Sequence, residues 1–415
     1  MFKHLVVHNW RQFRNIDLEF HDRLTVLTGA NGAGKTTLLH LLIKHWNWNL
    51  DYVSTPRFTK KGLKRYWQGF WSTEEDEWEE QEKSEVDRRS IGTLEYSSGT
   101  VAELFVPEQV NVVFSVNIQP MERLDGVYVS SHRPLYLHQP VDQIPTKLDA
   151  REQIFETYIS DLRNRYSVNT RVQSPSYRLK QALISLATFG YGNEAVIKDD
   201  EAIRTFEGFQ EILRIILPPK LGFNRIKIKV PDVLLETESG DFSFDAVSGG
   251  VAALIDIGWQ VFMYSLLRER FVVVIDEPES HLHPELQQRI MPNLLEAFPQ
   301  AQFIVASHNP FVVSSIPDSH VYVLDYDENN KVNSTLLDLI NKAGTSNDIL
   351  RDVLGIDTTS PLWVEDKLKE IVERYSAIEI SQESFGRLRV ELEGLGLGKY
   401  IPETIAEVAE KRADD

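Results

Sequence analysis

The chain has 415 residues, of which 42% are hydrophobic and 26% are charged, and its formal net charge is -18. This length predicts two or three domains, or one large domain with insertions. The sequence contains no cysteine, which excludes disulfides and cysteine-based zinc sites. No apolar run reaches the roughly 18 residues that a membrane helix needs, and the N-terminus lacks the apolar stretch of a signal peptide. These features favour a cytoplasmic protein with no membrane partner, and the acidity argues against a uniformly basic nucleic-acid-binding surface.

The N-terminal part of the chain predicts strands that lead into a helix. Three apolar or alternating segments in the first 28 residues indicate strands, and a glycine-rich turn then precedes a helix over 35–46. Residues 47–90 interrupt this pattern with several tryptophans and with a run over 74–87 that has nine acids and one lysine. We expect an inserted helical or mobile segment whose charge run is a solvated face.

The rest of the chain predicts a mixed α/β fold. Residues 91–118 have the character of antiparallel strands, residues 147–217 are helical, and strands then alternate with helices up to about residue 325. This alternation predicts a parallel core sheet flanked by helices. We therefore expect a main domain over 1–330, with an antiparallel β subdomain and with insertions at about 47–90 and 147–217. A helical C-terminal region should follow over 331–415.

The glycine-rich turn fits a phosphate-binding loop. Gly29-Ala30-Asn31-Gly32-Ala33-Gly34-Lys35-Thr36 matches the pattern G-x-x-x-x-G-K-[ST] and lies between a predicted strand and a predicted helix. Glycines let backbone N–H groups converge on phosphate oxygens, and the helix N-terminus adds partial positive charge. The lysine should reach the β- and γ-phosphates, and Thr36 should bind Mg²⁺. The predicted ATP-binding residues of this segment are Gly29, Asn31, Gly32, Gly34, Lys35, Thr36 and Thr37.

A second segment supplies carboxylates. Five apolar residues over 271–275 predict a central strand, and Asp276 and Glu277 follow at its carboxyl end, where ligands bind in open α/β sheets. Asp276 should hold Mg²⁺ through water, and Glu277 is placed to orient or deprotonate the attacking water. His308 ends the next strand, where its side chain is suited to donate to the γ-phosphate and to sense its loss.

A Ser-Gly-Gly tripeptide completes the candidate site. Ser248, Gly249 and Gly250 begin a predicted helix, and Ser248 lies 28 residues before Asp276. The N-terminus of a helix favours anions, although such tripeptides are also common in loops. The order of this tripeptide relative to the other motifs makes it informative.

These motifs, in this order, resemble an ABC-class ATPase head. The string Trp10-Arg11-Gln12-Phe13-Arg14 and the segment Glu279-Ser280-His281-Leu282-His283-Pro284 are similar to the SMC, RecF and OLD-type branch rather than to transporter subunits. The resemblance implies that two heads meet head to tail as a homodimer or higher oligomer. Ser248 and Gly250 would then touch the γ-phosphate bound to the partner's Lys35, and the 279–283 loop would cross the interface.

The chain departs from this pattern in two places. The signature reads Val-Ser-Gly-Gly-Val, without the usual leucine before it or glutamine after it. The glutamine loop that supplies a metal contact in the family is not evident, because Gln119, Gln139 and Gln143 are all candidates. The segment Ser131-His132-Arg133 is a further candidate for part of that role, and a surface turn is the alternative interpretation.

Two regions of the sequence are relevant to DNA binding or DNA cleavage. Basic residues of the helical lobe and of the strand over 223–230 predict either a DNA-facing patch or an ordinary solvated surface; they are Arg163, Arg165, Arg171, Arg178, Lys180, Arg225, Lys227 and Lys229. OLD-type relatives carry a C-terminal nuclease, and Asp325-Tyr326-Asp327 has the spacing of its metal-binding pair. Only about 90 helical residues follow, so we do not expect a nuclease in this chain.

The tail favours one biological role. The segment 347–355 and the helices after it are similar to the ends of defence-associated ATPases, which include PtuA of Septu and retron ATPases. This resemblance implies an ATPase that senses invasion and regulates a separate effector, a nuclease or toxin, in antiphage defence. The alternatives are a RecF-like repair ATPase that acts directly on DNA and a nucleotide-gated scaffold with slow hydrolysis.

Overall fold

The computed structural model describes residues 1–48, 50–58, 64–67, 88–107, 112–133, 136, 138–145, 147–167, 174–338, 344–355, 361–378 and 381–413. The chain divides into two compact units, Met1–Gly355 and Ile356–Asp415. The sequence suggested a boundary at residue 330, whereas the division lies after residue 355. The strand Val332–Leu336 pairs with strands of the first unit and therefore belongs to it. No helix in the described ranges is long and apolar enough to cross a membrane.

The strands are β1 (Phe2–Trp10), β2 (Phe13–Glu19), β3 (Leu24–Gly29), β4 (Tyr52–Val53), β5 (Thr55–Phe58), β6 (Lys64–Trp67), β7 (Arg88–Tyr96), β8 (Val101–Pro107), β9 (Val113–Phe114), β10 (Asn117–Gln119), β11 (Gly126–Val129), β12 (Phe223–Lys229), β13 (Asp232–Thr237), β14 (Gly240–Ser243), β15 (Phe271–Asp276), β16 (Ala301–Ala306), β17 (His320–Tyr326) and β18 (Val332–Leu336). Eleven of them form one sheet in the order β10-β8-β7-β1-β2-β18-β17-β3-β16-β15-β11. The predicted α/β fold is confirmed, and the antiparallel strands extend the same sheet as the parallel ones.

The helices are α1 (Lys35–Ile43), α2 (Arg151–Ser167), α3 (Pro175–Tyr191), α4 (Asp200–Ile216), α5 (Gly249–Ser265), α6 (Pro284–Ala297), α7 (Pro310–Val313), α8 (Ser346–Asp348), α9 (Leu362–Ser376), α10 (Gln382–Gly394) and α11 (Ile401–Ala413). Helices α2, α3 and α4 form the lobe predicted over 147–217. We expected a helical or mobile segment over 47–90; the described part forms β4, β5, β6 and the start of β7, so the helical alternative is wrong there. The acidic run over 74–87 lies outside the described residues.

The parallel strands are buried on both faces. Successive side chains of a strand point to opposite faces, so Val273 and Ile275 of β15 pack in the layer of α4, α5 and α6, whereas Val272 and Val274 pack in the layer of α1. Strands β11, β15, β16, β3 and β17 are parallel neighbours in that order. Their carboxyl ends therefore meet at one edge of the sheet, and polar groups emerge there.

The second unit has its own small apolar core. Val364 and Ile371 of α9, Leu388 and Leu392 of α10, and Leu397 are buried together. The helical character predicted for the end of the chain is thus observed within this unit.

Candidate functional site

The phosphate loop connects β3 to α1 in a conformation that requires glycine. Gly29, Gly32 and Gly34 have φ angles of 130°, 82° and 97°, which side chains rarely adopt. A Cβ atom on Gly34 would lie 2.3 Å from Nε2 of Gln12 and 2.5 Å from Cζ of Phe13. The backbone of the loop thus packs directly against residues at the start of β2. This packing fixes the loop, as binding of a ligand by its N–H groups requires.

Lys35 begins α1 and lies across the loop. Its ammonium donates to the carbonyl oxygens of Gly29 at 2.9 Å and Ala30 at 3.1 Å. Burial lowers the pKa of Lys35, and the carboxylates of Asp276 and Glu277 oppose this shift. Within the described part of the chain, no side chain caps the first N–H groups of α1, and such groups at a helix N-terminus bind anions.

Thr36 and Asp276 meet although they lie 240 residues apart. The Thr36 hydroxyl donates to Oδ2 of Asp276 at 3.0 Å. Burial raises the pKa of Asp276, while the Thr36 hydrogen bond and the charge of Lys35 oppose that rise. A hydroxyl and a carboxylate beside a phosphate loop are the oxygen ligands that Mg²⁺ prefers, with phosphates and water completing its shell. The Thr36 hydroxyl and the Asp276 carboxylate therefore fit the binding of Mg²⁺ together with a nucleoside triphosphate.

Glu277 faces His308 at the same edge. Its side-chain Oε1 lies 3.8 Å from Nδ1 of His308, and its Oε2 accepts from the Ser280 hydroxyl at 2.9 Å. The two side chains are 38% and 51% exposed, so water has access to both. Glu277 has a φ of 50°, an unusual conformation for a glutamate. Such strain is a feature of functional sites, since the surrounding contacts must maintain it.

The 279–283 loop is only partly exposed. The Glu279 side chain is buried, and its Oε1 accepts from the Ser307 hydroxyl at 2.6 Å. Leu282 is also buried, whereas His281 and His283 are exposed. His283 caps α6 by accepting from the N–H of Glu285 at 3.3 Å. Only part of this loop therefore presents side chains at the surface.

Ser248 and Gly249 are exposed at the N-terminus of α5. The Ser248 hydroxyl accepts from the N–H of Val251 at 3.4 Å. A Cβ atom on Gly250 would lie 3.0 Å from the carbonyl oxygen of His281, so the start of α5 packs closely on the 279–283 loop. Among the described residues, no hydrogen bond or ion pair joins this tripeptide to the phosphate loop of the same chain.

The sequence left open whether Arg133 takes part in the site or lies in a surface turn. It is 8% exposed and donates to the carbonyl oxygens of Glu277 at 2.8 Å and Ser280 at 3.0 Å. The surface-turn interpretation is therefore wrong for this residue. The sequence signal for Arg133 was its position after β11. This position places Arg133 beside Glu277 only because β11 pairs with β15, which the sequence does not show.

The glutamine candidates lie elsewhere. Gln119 belongs to β10, at the opposite edge of the sheet from β11. Oε1 of Gln139 accepts from the N–H of Ser174 at 3.2 Å, and the carbonyl oxygen of Gln143 accepts from Gln181 at 2.9 Å. None of these contacts involves the phosphate loop.

Four described residues of the predicted basic patch form ion pairs with carboxylates of the same chain. Lys180 is fully buried beside Asp245, so its assignment to a DNA-facing surface is wrong. Arg178 pairs with Asp161 at 2.7 Å. Arg225 and Lys227 both contact Glu236, at 2.9 and 2.5 Å, and Arg163 donates to the carbonyl oxygen of Trp46. The side chains of Arg165 and Arg171 lie outside the described set.

The chain matches two family models over the segments that build this site. A model described as "AAA domain, putative AbiEii toxin, Type IV TA system" matches residues 140–314, and a model described as "AAA domain" matches residues 4–43. Both segments are thus similar to AAA domains. The match over 4–43 covers the phosphate loop and the match over 140–314 covers the carboxylates, so the site is assembled from distant parts of the sequence.

Curated relatives include a Septu protein and two retron proteins. The chain is 28% identical over 170 residues to "Septu protein PtuA" of Bacillus thuringiensis, an alignment that covers 36% of this chain and 42% of the relative. It is 25% identical over 181 residues to "Retron Vc95 probable ATPase" of Vibrio cholerae serotype O1 biovar El Tor, covering 43% and 34%. It is 20% identical over 439 residues to "Retron Ec83 probable ATPase" of Escherichia coli, covering 90% and 79%. The chain thus spans less than half the length of the first two relatives.

Solved structures include heads of SMC proteins. The SMC head domain from Thermotoga maritima has a TM-score of 0.44 and 14% identity, covering 81% of this chain and 99% of that structure. An SMC head bound to the C-terminal winged-helix domain of ScpA has a TM-score of 0.42 and 15% identity, covering 82% and 98%.

Proposed function

We propose that this chain binds ATP with Mg²⁺ and hydrolyses it to ADP and phosphate. The observation that carries the proposal is the 3.0 Å contact between Thr36 and Asp276, with the exposed carboxylate of Glu277 on the next residue. Oxygen ligands for a divalent cation and a base thus lie next to the phosphate-binding loop, at one edge of the sheet.

In this proposal the phosphate loop binds the triphosphate. The N–H groups of the loop, with the side chains of Asn31 and Thr37 nearby, surround the phosphates, and Lys35 moves its ammonium from loop carbonyls to the β- and γ-phosphates. Thr36 and Asp276 would hold Mg²⁺, which would supply positive charge beside the phosphate oxygens. The buried position of Asp276 favours an electrostatic role, because a charge is screened less there than in water.

Glu277 is proposed to orient the attacking water and accept its proton. Its exposed Oε1 is near His308, and the hydroxyl of Ser280 holds the other carboxylate oxygen. His308 is proposed to donate to the γ-phosphate. Both residues follow buried parallel strands, which provide rigid support for the reacting groups.

We further propose that two copies enclose ATP head to tail. Ser248, Gly249 and Gly250 would bind the γ-phosphate held by the partner's loop. The exposure of Ser248 and Gly249 at the start of a 17-residue helix supports this role, because free N–H groups there attract anions.

The activity is tested with three variants. Lys35→Ala should abolish binding of a fluorescent ATP analogue, whereas Glu277→Gln should keep binding, slow turnover and accumulate an ATP-bound dimer measurable by light scattering. Glu296→Gln, at an exposed glutamate of α6, is the matched control and should behave as wild type. Turnover by Glu277→Gln at the wild-type rate would contradict the proposed role of Glu277.

The biological role that we propose is regulation of a separate effector, a nuclease or toxin, in cytoplasmic antiphage defence. Its support is the similarity to Septu and retron proteins. The test is a pull-down from the native host with and without ATP: capture of one nuclease or toxin in an ATP-dependent manner is expected. DNA-stimulated, salt-sensitive hydrolysis without such a partner would instead favour direct action on DNA.

A further inference from the structure

Arg133 joins two ends of one turn. Its two terminal nitrogens donate separately, one to the carbonyl oxygen of Glu277 at 2.8 Å and the other to that of Ser280 at 3.0 Å. The turn is closed by the N–H of Ser280, which also donates to the carbonyl oxygen of Glu277 at 3.1 Å. The planar fork of an arginine suits such a two-point contact, and a lysine cannot reproduce it.

The turn held by Arg133 contains backbone strain. Glu277 is in the left-handed region with a φ of 50°, which costs about 1–2 kcal/mol for a residue with a side chain. Its own N–H donates to the carbonyl oxygen of Ala306 at 2.9 Å. Hydrogen bonds thus hold the backbone of Glu277 on both sides, at its N–H and at its carbonyl oxygen.

Arg133 is buried, and burial lowers its pKa, a shift that the charge of Asp256 opposes more than any other. Asp256 of α5 is 3% exposed and accepts from the hydroxyl of Tyr158 and from Nε2 of Gln260 at 2.9 Å. Burial raises the pKa of Asp256, and the Tyr158 hydrogen bond and the charge of Arg133 oppose that rise. Because an arginine stays protonated in a protein, what Arg133 contributes to the turn is its contact with the two carbonyl oxygens.

We propose that Arg133 is a positioning residue for ATP hydrolysis: its two hydrogen bonds to carbonyl oxygens fix the Glu277–Ser280 turn. This inference rests on the proposed ATPase function and deepens it. Arg133 does not touch the nucleotide in this account. It acts through the backbone of Glu277, so its loss should affect turnover and leave ATP binding in place.

The test compares two arginines that each donate hydrogen bonds to two carbonyl oxygens. Arg133→Lys keeps the charge and removes the fork. Arg23→Lys is the control, because Arg23 donates to the carbonyl oxygens of Pro299 and of Leu295, the latter at 2.7 Å, at the end of β3 opposite to the phosphate loop. Turnover of ATP and the Kd of fluorescent ATP are measured for the full chain, with the folded fraction determined by circular dichroism.

We expect Arg133→Lys to lower kcat by about 10- to 100-fold, as a misplacement of a catalytic group by about 1 Å does. Its Kd for fluorescent ATP should stay close to the wild-type value, and Arg23→Lys should match wild type in both quantities. Unchanged kcat in Arg133→Lys, a parallel loss of ATP binding, or an equal loss of kcat in Arg23→Lys would each overturn the inference. A wild-type chain without turnover would instead overturn the proposed function itself.

Arg133→Gln tests the role of Arg133 if Arg133→Lys does not fold. The substitution keeps a planar donor group and removes the two-point contact of the guanidinium. We expect a fall in kcat with unchanged Kd for fluorescent ATP. Wild-type kcat in this variant would refute the positioning role of Arg133.

Discussion

Substitution of Gly34 tests the geometry on which ATP binding depends. Gly34 has a φ of 97°, and a Cβ atom there would lie 2.3 Å from Nε2 of Gln12 and 2.5 Å from Cζ of Phe13. Optimal contacts between such atoms are about 3.5–4.0 Å, so the neighbours would have to move by about 1 Å or more. Phe13 is fully buried and cannot move without repacking the core around β2.

The expected cost of Gly34→Ala has two parts. The left-handed backbone costs roughly 1–2 kcal/mol for alanine, and overpacking of a buried site costs about 1–3 kcal/mol. We therefore expect Gly34→Ala to lower the free energy of unfolding by roughly 2–5 kcal/mol and to abolish ATP binding, because relief of the contact distorts the loop.

Gly99→Ala is the matched control for this substitution. Gly99 has a φ of 90° in the turn between β7 and β8, and a Cβ atom there meets nothing within 4 Å. Its expected cost is the backbone part alone, about 1–2 kcal/mol, with normal ATP binding. Urea unfolding and titration with fluorescent ATP measure both quantities. Equal losses of stability in the two variants, with ATP binding retained in Gly34→Ala, would refute the reasoning.

Three further predictions concern the metal, a buried ion pair and a buried histidine. Thr36→Val, which removes the hydroxyl beside Asp276, should raise the Mg²⁺ concentration for half-maximal turnover roughly tenfold or more; an unchanged Mg²⁺ titration would contradict the assignment. Lys180→Met leaves Asp245 buried without its ammonium partner and should cost about 3–5 kcal/mol in urea unfolding, while a cost near zero would show that the pair is dispensable. Burial lowers the pKa of His45 from 6.5 to about 4, so its contribution to stability is present above pH 6.5 and is lost as the pH falls towards 4. His45→Gln should therefore flatten the dependence of unfolding free energy on pH in this window by about 1.4 kcal/mol per pH unit, and a parallel curve would refute the assignment.

The sequence predicted the parts of the site that depend on local chain geometry. The phosphate loop is a continuous strand–turn–helix segment, and Asp276 and Glu277 directly follow a continuous apolar strand. Parallel strands end at one edge, so the meeting of Thr36 with Asp276 follows from the predicted topology.

The sequence could not identify contacts that depend on the order of strands or on packing between distant segments. Arg133 contacts Glu277 only because β11 lies beside β15. Lys180 looked like a surface residue of a basic lobe, whereas the fold buries it against Asp245, which lies 65 residues later in the chain. Charge counts along a sequence do not reveal such pairing, because the partner is set by tertiary packing.

The decisive measurement is Mg²⁺-dependent release of phosphate from ATP by the purified chain. Wild type is compared with Glu277→Gln, and binding of fluorescent ATP is measured on the same samples. We expect both proteins to bind the nucleotide and only the wild type to turn it over at a substantial rate. Equal turnover by the two proteins, or no nucleotide binding by either, would contradict the proposed ATPase function.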